Sequence, residues 1–224
     1  FTRLNGASSP EAYRLHVTKD TLLISAASAD GFRFAWQTVN QLKQKNAIQA
    51  CDVVDAPAFK WRSLMLDVSR HFQPISFIKK QIDVMSQYKF NRLHLHLTDA
   101  AGWRIEIKRY PRLTSLAAWR EEKTWKEWSK LGCKYMHEGE AGAYGGYYTQ
   151  DELRDLVSYA AERGITIVPE IEMPGHSAEV LTAYPELSCT HEPYKQMDFC
   201  PGSVATYDFL ENVLKEVMDI FTSK

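Results

Sequence analysis

Three short stretches place ionisable side chains directly after apolar runs. Ser69-Arg70-His71 follows SLMLDV, Thr98-Asp99 follows RLHLHL, and Met173-Pro174-Gly175-His176 follows ITIVPEIE, which itself carries Glu170 and Glu172. A guanidinium offers a fork of donors, a carboxylate accepts from hydroxyls, and an imidazole oriented by a carboxylate keeps one tautomer and a raised pKa. Such a set suits hydrogen bonding to an uncharged, polyhydroxylated ligand. Each residue also has a plainer reading. Arg70 can staple a loop to a nearby carboxylate, Asp99 can cap a turn, His176 can be a satisfied loop histidine, and Glu170 and Glu172 can be structural partners of Arg or Lys. Position favours a site, because parallel α/β architectures bind ligands beyond the carboxyl ends of their strands.

His94-x-His96 admits a second chemistry, since paired histidines on a barrel strand can ligate zinc in a metal-dependent hydrolase. They sit mid-strand, ahead of the rim, and no further ligands follow at matching spacing, so the structural reading is preferred. Trp119, Trp125 and Trp128 could stack on sugar rings, although aromatics in a long loop more often pack that loop down.

The elements that would carry these residues alternate strand and helix. SLMLDV at Ser63 to Val68, RLHLHL at Arg92 to Leu97 and ITIVPEIE at Ile165 to Glu172 read as strands. Ile78, Ile82 and Met85 mark the stripe of an intervening helix. Thr149 with Glu152 forms a capping box for a second, whose face is Leu153, Leu156, Val157, Ala160 and Ala161, ended by Gly164. A last helix spans roughly Tyr207 to Phe221, with Phe209, Leu210, Val213, Leu214 and Val217 inward. The rhythm predicts a parallel sheet with right-handed crossovers. The connection from about Tyr110 to Tyr148 is long enough to shape a site.

Upstream, AYRLHV and TLLIS read as a hairpin. Phe32, Ala35, Trp36, Val39 and Leu42 give one apolar helix face. Periodicity lapses from Cys51 to Lys60 and Pro57 interrupts, which places a boundary between residues 1–56 and 57–224.

The bulk properties exclude several classes. With 224 residues, 45% apolar and a formal charge of −1, the chain can bury a core but has no basic arm for nucleic acid or an anionic membrane. No apolar run approaches the ~18 residues that span a bilayer, and Phe1 to Pro10 lacks the pattern of a signal peptide. Cys51, Cys133, Cys189 and Cys200 contain no C-x-x-C pair, so neither a zinc knuckle nor a dense disulfide framework is indicated.

RSLMLDVSRHF at Arg62 to Phe72, YKFNRLHLHLTDAAGWRIEI at Tyr88 to Ile107, GGYYTQDEL at Gly145 to Leu153 and VPEIEMPGHSAEVLTAYPELSC at Val168 to Cys189 closely resemble β-N-acetylhexosaminidases of glycoside hydrolase family 20. The resemblance implies an α/β catalytic domain of the TIM-barrel (β/α)8 type. About three β/α units are expected here against the eight of a closed barrel, preceded by the end of a small α+β domain. It implies removal of terminal β-linked N-acetylglucosamine or N-acetylgalactosamine by a retaining route in which the substrate's acetamido oxygen is the nucleophile. No metal or cofactor is implied. By motif, Arg70 would hold hydroxyls of the terminal sugar, and Asp99 and His176 would form a supporting pair near the acid, with Glu172 alongside.

Where the family often shows D-D-Q-G-W, this chain has Asp99-Ala100-Ala101-Gly102-Trp103, so positions 100 and 101 receive no role. The catalytic Asp-Glu pair is expected after Lys224, and Asp151-Glu152, in a helix cap, is not taken for it. The segment alone is therefore expected to be inactive. Its open sheet edges predict self-association, and the resemblance implies an exported (periplasmic, extracellular or lysosomal) protein. Two other readings stay open: a non-catalytic carbohydrate-binding or scaffold protein, and a metal-dependent hydrolase using His94 and His96.

Overall fold

The computed structural model describes residues 2–45, 47–122 and 124–222, so Phe1 and Lys224, the reference points of the leader and chain-end readings, lie outside it. Two sheets organise the described chain.

The first sheet has four strands in the order Thr2–Arg3, Leu22–Ala26, Tyr13–Val17, Cys51–Asp55. The hairpin pairs in register from Tyr13↔Ala26 to Val17↔Leu22. Its inward residues Tyr13, Leu15, Val17, Ile24 and Ala26 pack on the helix Ala29–Leu42 through Phe34, Ala35 and Val39. Ser28 caps that helix by accepting from the amides of Asp30 and Gly31. Two expectations change here. Trp36 points outward and is 47% exposed, its core place being taken by Phe34. Cys51–Asp55, read as a break in periodicity, is an edge strand paired antiparallel to Tyr13–Val17. Its period is two: Cys51 and Val53 pack on the core, while Asp52 and Val54 face solvent. With only two apolar residues turned inward, the pattern is too short to register in a helical search.

The second sheet is parallel throughout and holds Thr166–Glu170, Arg92–His96 and Ser63–Asp67 in that order. The helices Ile75–Gln87, Gln150–Glu162 and Val204–Ile220 contribute buried faces to one core with the strand residues Leu93, Leu95 and Ile167. Leu214, expected inside, is 37% exposed. The capping box at Thr149 and Glu152 forms on both sides, and Gly164, at φ +72°, turns the chain from the helix into the strand. The sheets are joined by ion pairs and hydrogen bonds: Arg62 grips Glu11 at 2.9 and 3.0 Å, Asn91 donates to Glu11, and Lys89 donates to the Tyr13 hydroxyl and Asp55.

Register decides what meets at the rim. Because the parallel pairing aligns Ser63, Arg92 and Thr166, it also aligns Asp67, His96 and Glu170 as one cross-strand row at the carboxyl end. Residues two or three positions further on, Ser69, Arg70, Asp99 and Glu172, then lie over that row.

Candidate active site at the sheet rim

Asp99 is the centre of the rim. It is 3% exposed, and its Oδ2 accepts from Arg70 Nη2 at 2.6 Å and from His176 Nδ1 at 2.8 Å, with His96 Nε2 at 3.3 Å. Its Oδ1 accepts from the amide of Ala100 at 2.8 Å. Burial pushes the Asp99 carboxyl up, but His96, His176 and Arg70 together hold it below the usual carboxylate range. The charge is therefore kept by three cationic or protonated neighbours drawn from three separate segments.

Arg70 is anchored from below. Its Nη1 donates to Asp67 Oδ2 at 2.9 Å, and the other Asp67 oxygen accepts from the amides of Ser69 and Arg70, both at 3.0 Å. His96, buried under the rim, places Nδ1 2.7 Å from Glu170 Oε2. Burial pulls this imidazole down, yet Asp99 and Glu170 outweigh it and raise the pKa to about 9. Doubly protonated, it donates to both carboxylates. The 3.3 Å approach of Arg70 Nη1 to its Nε2 is then two cations sharing Asp99 rather than a hydrogen bond between them.

His94 reaches the same Glu170 oxygen at 2.7 Å. Both imidazoles of the His94-x-His96 pair are thus spent on one carboxylate. Among the described residues, two donor groups within 4.8 Å, His96 with Glu170 and Glu172, and Asp99 with Glu172 and His176, have the reach to hold a cation, and neither includes His94. An imidazole protonated on both nitrogens has no lone pair to offer a metal, so a cation at the first group would have to displace the His96 proton.

The third loop is fastened by its backbone. Glu172 donates its amide to the buried Thr98 hydroxyl at 2.8 Å, Ser177 donates to Met197 O and Phe199 to Pro174 O. His176 sits at φ +56° with its ring well exposed, and its bond to Asp99 raises its pKa. Arg70, Asp99 and His176 are thus brought together as the strand–loop pattern predicts, with Glu172 beside them. His71 is not among them: it turns to Tyr144, whose hydroxyl lies 3.0 Å from its Nδ1. Asp151 and Glu152 remain at the helix start, paired with Arg154 and Thr149.

Residues that sequence reasoning missed hold the rim through carbonyl oxygens. Arg104, with no exposure, donates to the carbonyls of Val68, Ser69, Ala101, Ala118 and Gly146. Burial, with nearby Arg120, lowers its pKa to about 10. Arg120, equally buried, donates to the carbonyls of Arg70, Ala101 and Glu122. Ala100, left without a role above, accepts from the Tyr135 hydroxyl. Positions 100 and 101 therefore contribute their backbone. Gly102 is required because a Cβ there would stand 2.2 Å from the Arg104 guanidinium. Glu179 is 1% exposed, one of its oxygens has no partner among the described residues, and burial pushes its pKa up to about 8.

The long connection folds over this rim. Trp119–Arg120 pairs with Tyr144–Gly145, Trp119 donates to Thr114 O, and Trp128 is buried edge-on to Tyr135 and donates to Lys134 O. Trp119 and Trp128 thus pack the loop, and only Trp125 of the three is left largely in the open, at 51%. A disulfide, Cys189–Cys200, closes the loop after His176, while Cys51 and Cys133 are free.

Comparison with known proteins places this geometry. Residues 59–224 match glycosyl hydrolase family 20, catalytic domain, and residues 2–56 match glycosyl hydrolase family 20, domain 2. A beta-hexosaminidase of Vibrio furnissii is 39% identical over 99% of this chain and 37% of its own length. The crystal structure of beta-N-acetylhexosaminidase from Bacteroides fragilis superposes with a TM-score of 0.83 at 40% identity, over 99% of this chain and 43% of that one. An exo beta-N-acetylglucosaminidase from Vibrio harveyi, solved with N-acetylglucosamine, gives 0.81 at 34% identity, over 96% and 35%. The chain spans less than half the length of these relatives. The parallel sheet is accordingly of the TIM-barrel type. Since the catalytic-domain match covers every rim residue described above, the chain belongs to glycosyl hydrolase family 20.

Proposed function

We propose that the protein removes terminal, non-reducing β-linked N-acetylhexosamine from glycans, with Arg70, Asp99, His176 and Glu172 forming the floor that holds the sugar. The observation that carries this reading is the convergence of Arg70 and His176 on one buried Asp99 oxygen, at 2.6 and 2.8 Å. Donors and acceptors locked in this way keep their positions when a neutral, hydroxylated ligand arrives and cost little reorganisation. In the substrate-assisted retaining route, the acetamido oxygen attacks the anomeric carbon, the glycosidic bond breaks, and an acid protonates the departing oxygen. The rim is not built to be that acid. Asp99 and Glu170 are held ionised by their cations, and Glu179 keeps its proton but is sealed from substrate. The resemblance to the family implies instead an Asp-Glu pair as the acid and its helper; no such pair is found at this rim among the described residues, so the 224-residue chain alone is assigned no turnover.

Titration of the chain with N-acetylglucosamine tests the reading: binding is expected, and Arg70→Ala should abolish it. Sugar binding indifferent to that change would sink the assignment of the rim. Hydrolysis of a chromogenic N-acetylglucosaminide by the isolated chain would contradict the placement of the acid. The Cys189–Cys200 disulfide supports an exported protein, because such bonds persist in oxidising compartments. Recovery of both cysteines as thiols from the native source would argue against export.

A further inference from the structure

Glu179 has no task in the sugar site as described, yet it is built into the segment that presents His176. It stands three residues after His176, in the first turn of the short helix Ala178–Ala183. That helix sends Val180, Leu181 and Ala183 into the core and lies against Gly102–Trp103, the strand paired with Thr98–Asp99. Ser177, at the capping position, does not cap it, because its hydroxyl donates to Gly175 O at 2.8 Å. The carboxyl of Glu179 is turned back instead toward the amides of Glu179 and Val180, first-turn donors that the Ser177 hydroxyl leaves unserved. The charged or titratable groups facing this carboxyl are Asp99, Arg104 and Tyr135. None is free to pair with it. Asp99 is an anion, the Tyr135 hydroxyl is given to Ala100 O, and Arg104 donates to five carbonyl oxygens.

Resting on the reading of the rim as the terminal-sugar site, we propose that Glu179 is a positioning residue: its uncharged carboxyl fixes the start of the helix and thereby holds His176 against Asp99, where the sugar binds. Kept neutral, the carboxyl closes the first turn without setting a second anion beside Asp99. Ionised, it has neither a cation nor solvent in its pocket, so the side chain must leave to be hydrated and the first turn loosens with it. Burial, which pushes its pKa up to about 8, sets that event just above neutrality. His176, at φ +56° and with an exposed ring, depends on this turn for its approach to Asp99.

Sugar affinity, and the His176 imidazole followed by NMR, read the role separately. At pH 6.5 the wild-type chain and Glu179→Gln, which keeps an uncharged side chain of the same shape, should bind N-acetylglucosamine alike. Glu179→Ala should bind it about fivefold more weakly, the size of a lost helix cap. In that variant the His176 pKa, raised by Asp99, should fall toward its ordinary 6.5 as the contact loosens, and in Glu179→Gln it should stay raised. Between pH 6.5 and 9 the wild type should lose about fivefold more affinity than Glu179→Gln, since His96 and His176 titrate in both proteins and Glu179 in only one. Parallel losses in the two would overturn the proposal, and this comparison decides even if Glu179→Ala does not fold. A His176 titration unmoved in Glu179→Ala would overturn it too. If the wild-type chain binds no sugar, the rim reading fails, and the His176 titration still decides whether Glu179 positions the loop.

Discussion

The two sheets handle charge in opposite ways. On the four-stranded sheet, carboxylates sit at a solvent edge and each has one close basic partner: Asp52 has His16, with Arg14 more loosely placed and both largely exposed, and Asp55 has Lys89, with the Tyr13 hydroxyl donating to it. At the rim of the parallel sheet, one buried oxygen of Asp99 serves Arg70 and His176 and lies beside His96. Exposed pairs contribute little and can be exchanged freely. A buried anion shared by several cations is costly to assemble and fixes the geometry of everything attached to it.

That contrast is open to direct attack. Asp99→Ala leaves Arg70, His96 and His176 crowded without their counter-ion, and urea unfolding should show a loss of about 3–5 kcal/mol. Asp52→Ala, at a site with more than half of its side chain exposed, should change stability by less than about 0.5 kcal/mol. Equal effects from the two would erase the distinction between the sheets.

The next effect in size belongs to Glu179. With a folded pKa of about 8 against an ordinary 4.5, the unfolded chain gives up this proton first as pH rises. Below pH 4.5 both states are protonated and the group is neutral in its effect. Between 4.5 and 8 stability falls, at up to about 1.4 kcal/mol per pH unit, and above 8 the full penalty stands. Glu179→Gln should therefore match the wild type near pH 4 and exceed it by a few kcal/mol at pH 8. A constant difference across that range would mean that the carboxyl is not held protonated.

The smallest effect is on association. Ser63–Asp67 pairs on one side only among the described residues, and Leu64 and Met65 on it are 37% and 51% exposed. We propose that the isolated chain self-associates there, and Met65→Lys should lower the apparent mass in light scattering. A monodisperse wild-type monomer would contradict this.

The parts of the site legible in the sequence are those announced by a strand ending. Arg70, Asp99 and His176 each follow an apolar run, so their convergence can be anticipated from parallel topology alone. Asp67, His96 and Glu170 also lie on those strands, but their meeting depends on register, which spacing along one chain does not contain. His96 in particular looks mid-strand in RLHLHL and becomes rim only once its partners are aligned. Arg104 and Arg120 left no signal, because they act on carbonyl oxygens that every residue has. Glu179 is hidden for a similar reason, since nothing in a surface-like S-A-E sequence marks a carboxyl buried without a full set of partners. Cys51–Asp55 and Trp36 depart from expectation because a period of two and a helix face rest there on too few apolar residues to be distinguished.

The account stands on Arg70, held between Asp67 and Asp99, presenting its guanidinium to a terminal sugar. A crystal structure of the chain with N-acetylglucosamine tests this most directly. The account predicts sugar hydroxyls within hydrogen-bonding distance of Arg70, with the Asp99–His176 contact kept. A sugar bound elsewhere, with Arg70 touching only its two carboxylates, would contradict it.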